Sequence, residues 1–85
     1  MVGKAKYVIV NDNAIVFSPV ISHIDMVRPH EKVQSAGFVD FRSTENVYGE
    51  TIVEAKCFGS SFTLGIDSRP EEDSILVTNQ ICRNF

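Results

Sequence analysis

The chain has no tryptophan, only two cysteines, and no hydrophobic run long enough to cross a membrane. Two cysteines in a chain of this length do not make a disulfide framework, so a reduced, cytoplasmic protein is expected. The apolar run Tyr7–Val10 follows the lysine-containing start Met1–Lys6. It is too short for the core of a signal peptide or for a membrane span. The sequence therefore predicts no membrane partner.

Basic residues are also scarce, with 8 lysines and arginines against 11 aspartates and glutamates and a net charge of −3. A dedicated nucleic-acid binder normally carries a basic face, so nucleic acid is not the favoured partner. The sequence also lacks a glycine-rich phosphate loop, a nucleophile elbow and a Ser/His/Asp arrangement. Together with a histidine count of only 2, this makes an enzyme the less favoured class.

What the chain does contain is alternating apolar and polar residues, most clearly between Ser35 and Asp67. An 85-residue chain of ordinary composition is expected to form a single small globular domain over residues 1–85. Three strands are predicted, Gly37–Thr44, Thr51–Phe58 and Ser61–Ile66, joined as an antiparallel meander. One parity of these strands is apolar and predicts the buried face: Val39, Phe41, Val53, Ala55, Cys57, Phe62, Leu64 and Ile66.

Two turns predict how these strands pair. Gly49 can take the positive φ that closes a three-residue loop, and this closure sets Asp40 opposite Lys56. Arg42 then lies opposite Glu54, whereas a slide by two residues would oppose like charges. A two-residue turn at Gly59-Ser60 predicts three further pairs, Cys57 with Phe62, Ala55 with Leu64, and Val53 with Ile66.

The first part of the chain predicts another hairpin, Lys4–Val10 with Ala14–Ser18. The intervening cluster Asn11-Asp12-Asn13 is typical of a turn, and Asn13 in the left-handed conformation would close a three-residue loop. That closure pairs Ile9 with Ile15 and Tyr7 with Phe17. These four side chains then share the more apolar face of the hairpin.

Two helices are predicted. Ser18-Pro19 is typical of a helix start, and Pro29 should end that helix at or before Arg28. Its apolar side would hold Val20, Ile21, Ile24 and Val27.

The second predicted helix begins with a capping box formed by Ser68 and Glu71. A final strand over Ser74–Thr78 is the alternative, because that segment has high β propensity. The helix would have one broad, mainly apolar side and an opposite polar side. The first holds Ile75, Val77, Thr78, Ile81, Cys82 and Phe85, and the second holds Glu72, Asp73, Asn79, Gln80 and Arg83.

The predicted fold class is therefore α+β, in the order β-β-α-β-β-β-α. It consists of an antiparallel sheet of about five strands, a β-hairpin plus a three-stranded meander, with two helices packed on it. How the hairpin joins the meander is not determined by the pattern. Edge strands would remain, and self-association is one way to cover an edge.

His23, Asp25 and His30 are the residues that could suggest a small metal-dependent enzyme. His23 and Asp25 are two positions apart and would diverge on a helix, and no spacing matches a zinc signature. These side chains are expected to be solvated, and no metal and no cofactor is predicted.

Two other groups have ordinary structural interpretations. Cys57 and Cys82 lie on predicted apolar faces, where a thiol packs as a small hydrophobe. The acidic cluster Asp67, Glu71, Glu72 and Asp73 is explained by the positive end of the helix dipole, with Arg69 as a solvated partner.

The most informative pair is Phe38 and Phe58, which the Gly49 register sets opposite each other on the otherwise charged face of the sheet. Clustered exposed aromatic residues are typical of interfaces. The predicted interface residues are Phe38, Phe58, Ile52, Arg42 and Lys56. The first helix could instead cover the rings.

The leading functional hypothesis is a small cytoplasmic protein-interaction or assembly module, a homodimer or a binder of another protein. One alternative is a small metal-dependent enzyme that uses His23, Asp25 and His30. The other is a single-stranded nucleic-acid-binding module in which bases stack on sheet aromatics. The nucleic-acid alternative would use Tyr7, Phe38 and Phe58 together with Lys4, Lys6, Arg42 and Lys56.

Overall fold

The structure is a computed structural model that describes residues 3–28 and 31–83. Within these ranges the fold is α+β, with a four-stranded antiparallel sheet in the order β2-β1-β3-β4, a separate two-stranded ribbon β5-β6, and one α-helix. The expected five-stranded sheet and second α-helix are not present there. The elements are β1 (Gly3–Val10), β2 (Asn13–Phe17), a 3-10 helix (His23–Met26), β3 (Val33–Glu45), β4 (Thr51–Phe58), β5 (Ser60–Ser61), β6 (Ile66–Asp67) and α1 (Pro70–Arg83).

The β3–β4 hairpin has the predicted register. Asp40 is paired with Lys56, and Arg42 with Glu54. Gly49 has φ of 78°, as the predicted turn requires. The Asn46 side chain adds what the sequence pattern did not show, because its Oδ1 accepts hydrogen bonds from the backbone N–H groups of Tyr48 and Glu50. The predicted β3–β4 register and its turn at Gly49 are therefore confirmed.

The first hairpin is shifted by one residue from its predicted register. Asn11 and Asp12 both have positive φ, 51° and 62°, which makes a two-residue turn instead of a three-residue loop. Val8 therefore pairs with Ile15, and Tyr7 pairs with Val16. A one-residue shift moves every side chain to the other face. Ile15 and Phe17 therefore lie on the face of Val8, opposite to Tyr7 and Ile9. The end of β1, Tyr7–Val10, is buried on both faces, as expected for a central strand between β2 and β3.

The predicted third strand of the meander, Ser61–Ile66, is wrong. Ser60–Ser61 and Ile66–Asp67 form the short ribbon, and the residues between them turn tightly, with Gly65 N–H bonded to the Ser61 carbonyl. Gly65 takes φ of 65°, and Phe62 is exposed instead of packing on Cys57. Consequently β4 is an edge strand of the main sheet.

The predicted first helix is also absent over its described residues, apart from the 3-10 helix His23–Met26. Ser18 does begin a turn, since its carbonyl accepts the Ile21 N–H, but Val20 is 89% exposed. A distant side chain also bonds the backbone here, because Lys6 Nζ donates to the Ile21 carbonyl. A helix this short is marginal without a packed apolar side. Its predicted stop at Pro29 lies outside the described residues.

The second helix is confirmed, and the alternative strand over Ser74–Thr78 is wrong. The buried side of α1 differs from the predicted one, because Asp73 and Val77 are buried with Leu76 packed beside them, whereas Ile75 is 62% exposed. The predicted capping box is replaced by a bond from the Arg69 N–H to the Asp73 carboxylate. The predicted positions of the Cys82 and Phe85 side chains lie outside the described part of the chain.

The helix α1 covers one face of the sheet, and the main core lies between them. This core comprises Tyr7, Ile9, Ala14, Val39, Ala55, Cys57 and Val77. A second cluster on the opposite face is covered by the segment around the 3-10 helix and by the β5-β6 ribbon, and contains Val8, Val10, Phe17 and Ala36, flanked by Ile15, Met26, Val27, Val33, Leu64 and Ile66. This cover extends over only part of that face.

Candidate binding face on the sheet

The remaining part of the second face is accessible to solvent, and we call it the open face. It is built by the ends of three neighbouring strands, with side chains that alternate with those of the main core. Its residues are Lys4 and Lys6 of β1, Phe38, Asp40, Arg42 and Thr44 of β3, and Ile52, Glu54, Lys56 and Phe58 of β4. All five interface residues predicted from the sequence therefore lie together on one surface.

Phe38 and Phe58 are cross-strand partners whose rings stack, with centroids 5.8 Å apart and an angle of 23° between their planes. Phe58 keeps 38% of its surface exposed. Phe38 is half-buried because the His23 ring meets it edge to face at 6.0 Å. The segment predicted as a helix thus covers one ring of the pair through His23 and leaves the other accessible.

Two lysines lie over these rings. The Lys4 ammonium is 5.5 Å from the centroid of Phe58, and the Lys6 ammonium is 6.0 Å from that of Phe38. A cation above an aromatic face is attracted by the negative π surface. These contacts keep the lysine side chains on the open face, where each ammonium remains near the surface.

The open face carries both signs of charge in an ordered arrangement. Lys4, Asp40 and Lys56 form one row across the three strands, and Arg42 and Glu54 form the next row. Four of the 8 basic residues of the chain are on this surface. A partner of the open face would meet aromatic and aliphatic surface flanked by alternating cations and anions.

Side chains of α1 occupy part of each edge of the main sheet. Ala55 N–H donates to Thr78 Oγ1 at 3.1 Å, and Cys57 N–H donates to Ser74 Oγ at 2.8 Å. On the far edge, Gln80 bonds both the N–H and the carbonyl of Ala14, at 2.8 and 2.7 Å. These backbone groups are the ones that an added strand would need. Strand addition is therefore disfavoured at these positions, and the face is the better candidate surface.

A buried polar cluster under the start of α1 was missed from the sequence. Tyr7 O–H donates to Asp73 Oδ2 at 2.5 Å, and both residues have no exposed surface. Arg69 donates to the same carboxylate from its N–H and from Nε, at 2.9 and 3.1 Å. Asp73 is thus the internal partner of Tyr7 and Arg69, and its charge is compensated inside the fold. Tyr7 is removed from the group of residues available for base stacking.

Cys57 packs beside this cluster and is buried, as predicted. Burial raises the pKa of the Cys57 thiol to about 11, and the nearby Asp73 charge adds to the effect. Burial also raises the pKa of Tyr7 far above its ordinary value, and the hydrogen bond to Asp73 acts in the same direction. A neutral thiol is a poor nucleophile at physiological pH. The Cys57 thiol and the Tyr7 hydroxyl are therefore both protonated at physiological pH.

The residues considered for a metal site are not brought together as ligands. His23 was expected to be solvated but is buried, with Nε2 2.8 Å from the Gly37 carbonyl and its ring edge to face with Phe17. Asp25 is exposed, and His30 lies outside the described residues. Across the described parts of the chain, no group of three His, Cys, Asp or Glu side chains has a metal-binding arrangement. The alternating pattern gave no signal for His23 as a core residue.

The β3–β4 hairpin extends past the last described pair of β1 and β3, Gly3 with Phe41, and the structure is elongated, measuring 46 by 23 by 19 Å. Ile52 lies on this extension with 50% of its surface exposed. The loop at its end exposes Val47 and Tyr48. The open face therefore has an aromatic end at Phe58 and a second apolar position at Ile52.

In the described segments, none of the helices has the length and apolar composition needed to cross a membrane. Comparison with known proteins gives no match among family models, curated proteins or solved structures. The geometry of the open face is consequently the basis on which a function is inferred.

Proposed function

We propose that the protein is a non-catalytic interaction module that works through the open face and associates with itself. The observation that carries the proposal is Phe58, an exposed ring stacked on Phe38, at one end of a surface that mixes aromatic, aliphatic and charged side chains. Such a composition is typical of the core and rim of protein interfaces. The occupied strand edges support a contact through the face over a contact through an edge.

The proposal retains the cytoplasmic setting expected from the sequence, because Cys57 is a free, buried thiol. It also assigns separate tasks to the two faces of the sheet. The face under α1 holds the core and the Tyr7–Asp73 pair, whereas the open face provides the contact surface. Substitutions on the open face should therefore alter association with little effect on folding.

The experiment is a dilution series followed by two-dimensional NMR of the labelled protein. Self-association through the open face predicts concentration-dependent shifts of the amides of residues 38–44 and 52–58. The amides of α1 should stay constant over the same range and provide the internal control. Shifts confined to α1, or to the 3-10 segment, would place the contact elsewhere and contradict the proposal.

A second candidate is single-stranded nucleic acid, and the observation that favours it is the placement of Lys4 and Lys6 over the two rings. Stacked aromatics with adjacent cations can bind a base and its phosphate. Asp40 and Glu54 on the same face oppose a phosphate backbone. Titration with a short oligonucleotide at low salt tests this function, because binding must weaken as salt is added. An unchanged spectrum at low salt would eliminate it.

A further inference from the structure

We propose that the partner of the open face is a second copy of the chain, related by a two-fold axis that crosses the strands at the Phe41–Ala55 pair. This rests on the proposed function, since it specifies how that contact is made. Phe41 and Ala55 are cross-strand partners, and their side chains are directed to the opposite face, toward the core. The row they form lies midway between the two charged rows of the open face.

The order of residues along β4 is the first argument. Its open-face positions are Ile52, Glu54, Lys56 and Phe58, which read apolar, acidic, basic and aromatic. A two-fold axis across the strands reverses this order in the second copy. Lys56 then faces Glu54 of the second copy, and Phe58 faces its Ile52. Every pair along the strand is complementary, and each contact occurs twice.

The order along β3 gives the same result. Its open-face positions are Phe38, Asp40, Arg42 and Thr44. Under the same axis Asp40 faces Arg42 of the second copy, and Phe38 faces its Thr44. Both strands therefore become complementary to themselves about one point, the Phe41–Ala55 row. Stacked sheets in proteins are rotated by roughly 30° because each sheet is twisted, which leaves these central pairs near each other.

The other way to stack two copies face to face uses an axis parallel to the strands. That axis keeps each row in place and reverses it laterally. When this axis runs along β3, Lys4 faces Lys56 of the second copy, and Asp40 faces its own equivalent. Like charges brought together at an interface oppose association. This excludes an axis along β3. A parallel axis between β3 and β4 would set Asp40 opposite Lys56 of the second copy and Arg42 opposite its Glu54. The mixture experiment described below separates that arrangement from the proposed one, because Lys56→Glu and Glu54→Lys compensate each other only when position 56 faces position 54.

The size of the open face predicts a weak dimer. From the Phe38–Phe58 row to the Thr44–Ile52 row the face is about 20 Å long, and three strands make it about 15 Å wide. This footprint is well below the roughly 800 Å² per partner of a stable complex. Association should therefore be reversible and measurable only at high protein concentration, on the order of 100 µM.

The test uses two charge reversals, Lys56→Glu and Glu54→Lys, studied separately and as an equimolar mixture by sedimentation velocity. Alone, each variant places like charges together twice in the dimer. We expect each to weaken self-association at least about tenfold at low salt. In the mixture, each copy meets the opposite charge at both contacts, and association should recover to within about threefold of the native protein. Lys32→Glu, an equal charge change at an exposed position outside the open face, is the control and should have no effect.

Circular dichroism of each variant verifies that the fold is retained, and recovery in the mixture itself requires folded protein. If both reversals dimerise like the native protein, or if their mixture stays monomeric while native protein dimerises, the arrangement is overturned and self-association still stands. If native protein remains monomeric at the highest concentration, the proposed function fails together with the arrangement. A mass that stops at twice 9.5 kDa agrees with a closed two-fold pair, whereas continued growth contradicts it.

Discussion

The Tyr7 hydroxyl donates a 2.5 Å hydrogen bond to the Asp73 carboxylate, joining the central strand of the sheet to the first turn of α1. Neither residue has exposed surface. A carboxylate in this position must be fully paired, because an unpaired buried charge is strongly destabilising. The pair therefore determines which side of α1 faces the sheet, and it explains why the helix turns Ile75 toward solvent.

Tyr7→Phe should lower the free energy of unfolding by about 2 kcal/mol, since hydrogen bonds to buried charged groups contribute about 1.5–3 kcal/mol. The substitution retains the ring and removes only the donor to Asp73. Urea unfolding measures the change, with Tyr48→Phe on the exposed loop as the control that should have no effect. An equal stability for Tyr7→Phe and native protein would show that Arg69 alone satisfies the carboxylate.

Stability should decrease as the pH rises from about 9 through 11. The pKa of Cys57 is raised from its ordinary value to about 11, so in this interval the unfolded chain loses a proton that the folded chain retains. Raising the pKa of the thiol from 9.0 to about 11 corresponds to roughly 2–3 kcal/mol of stability, which is lost between these two pH values. The raised pKa of Tyr7 acts with the same sign above about pH 10.

Urea unfolding at a series of pH values checks this alkaline dependence. Cys57→Ala removes the thiol and should make the decline between pH 9 and 11 shallower. The same decline in both proteins would mean that Cys57 does not contribute to it.

Two buried serines should differ in how much their replacement by alanine changes the free energy of unfolding. Among the described residues the Ser35 hydroxyl has no hydrogen-bond partner, whereas the Ser61 hydroxyl accepts the Leu64 N–H at 3.2 Å. Ser35→Ala removes an unsatisfied buried group and should be neutral or stabilising, while Ser61→Ala should cost about 1 kcal/mol. Thermal unfolding of the two variants gives the comparison. A clear loss of stability in Ser35→Ala would reveal a partner for that hydroxyl.

Thr78→Val tests whether the helix side chains protect the edge of β4. Valine has nearly the same shape as threonine but cannot accept the Ala55 N–H, so a loss of about 1–2 kcal/mol is expected. The control is Thr51→Val, the same substitution at an exposed position of β4. Chemical unfolding of both variants should show a difference. Equal stabilities would mean that water can replace the Thr78 hydroxyl.

The part of the fold that could be predicted from the sequence is the part determined by local chemistry. The β3–β4 register follows from Gly49 and from the charge pairs on one face, and all five predicted interface residues lie together as a consequence. The first hairpin has a different turn from the one predicted. Asn11 as well as Asp12 adopts a positive φ, and the resulting turn is one residue shorter. Both turns are compatible with the same asparagine and aspartate residues.

The remaining differences arise from contacts between distant parts of the chain. The helical pattern places Asp73 on the polar side of α1, because nothing local indicates its partner Tyr7, which is 66 positions away. His23 is buried through contacts with Phe17 and Phe38, which no periodicity indicates. The Ser61–Ile66 segment alternates like a strand, but α1 occupies the edge of β4 where that strand would have paired.

The central claim is that the open face associates with a second copy, and sedimentation velocity over a concentration series tests it most directly. Native protein should shift from 9.5 kDa toward twice that mass as the concentration rises into the range of about 100 µM. Phe58→Ser should remain at 9.5 kDa while retaining the native circular dichroism spectrum. Native protein that sediments as a 9.5 kDa monomer at every concentration, or a Phe58→Ser variant that associates as strongly as native protein, would contradict the account.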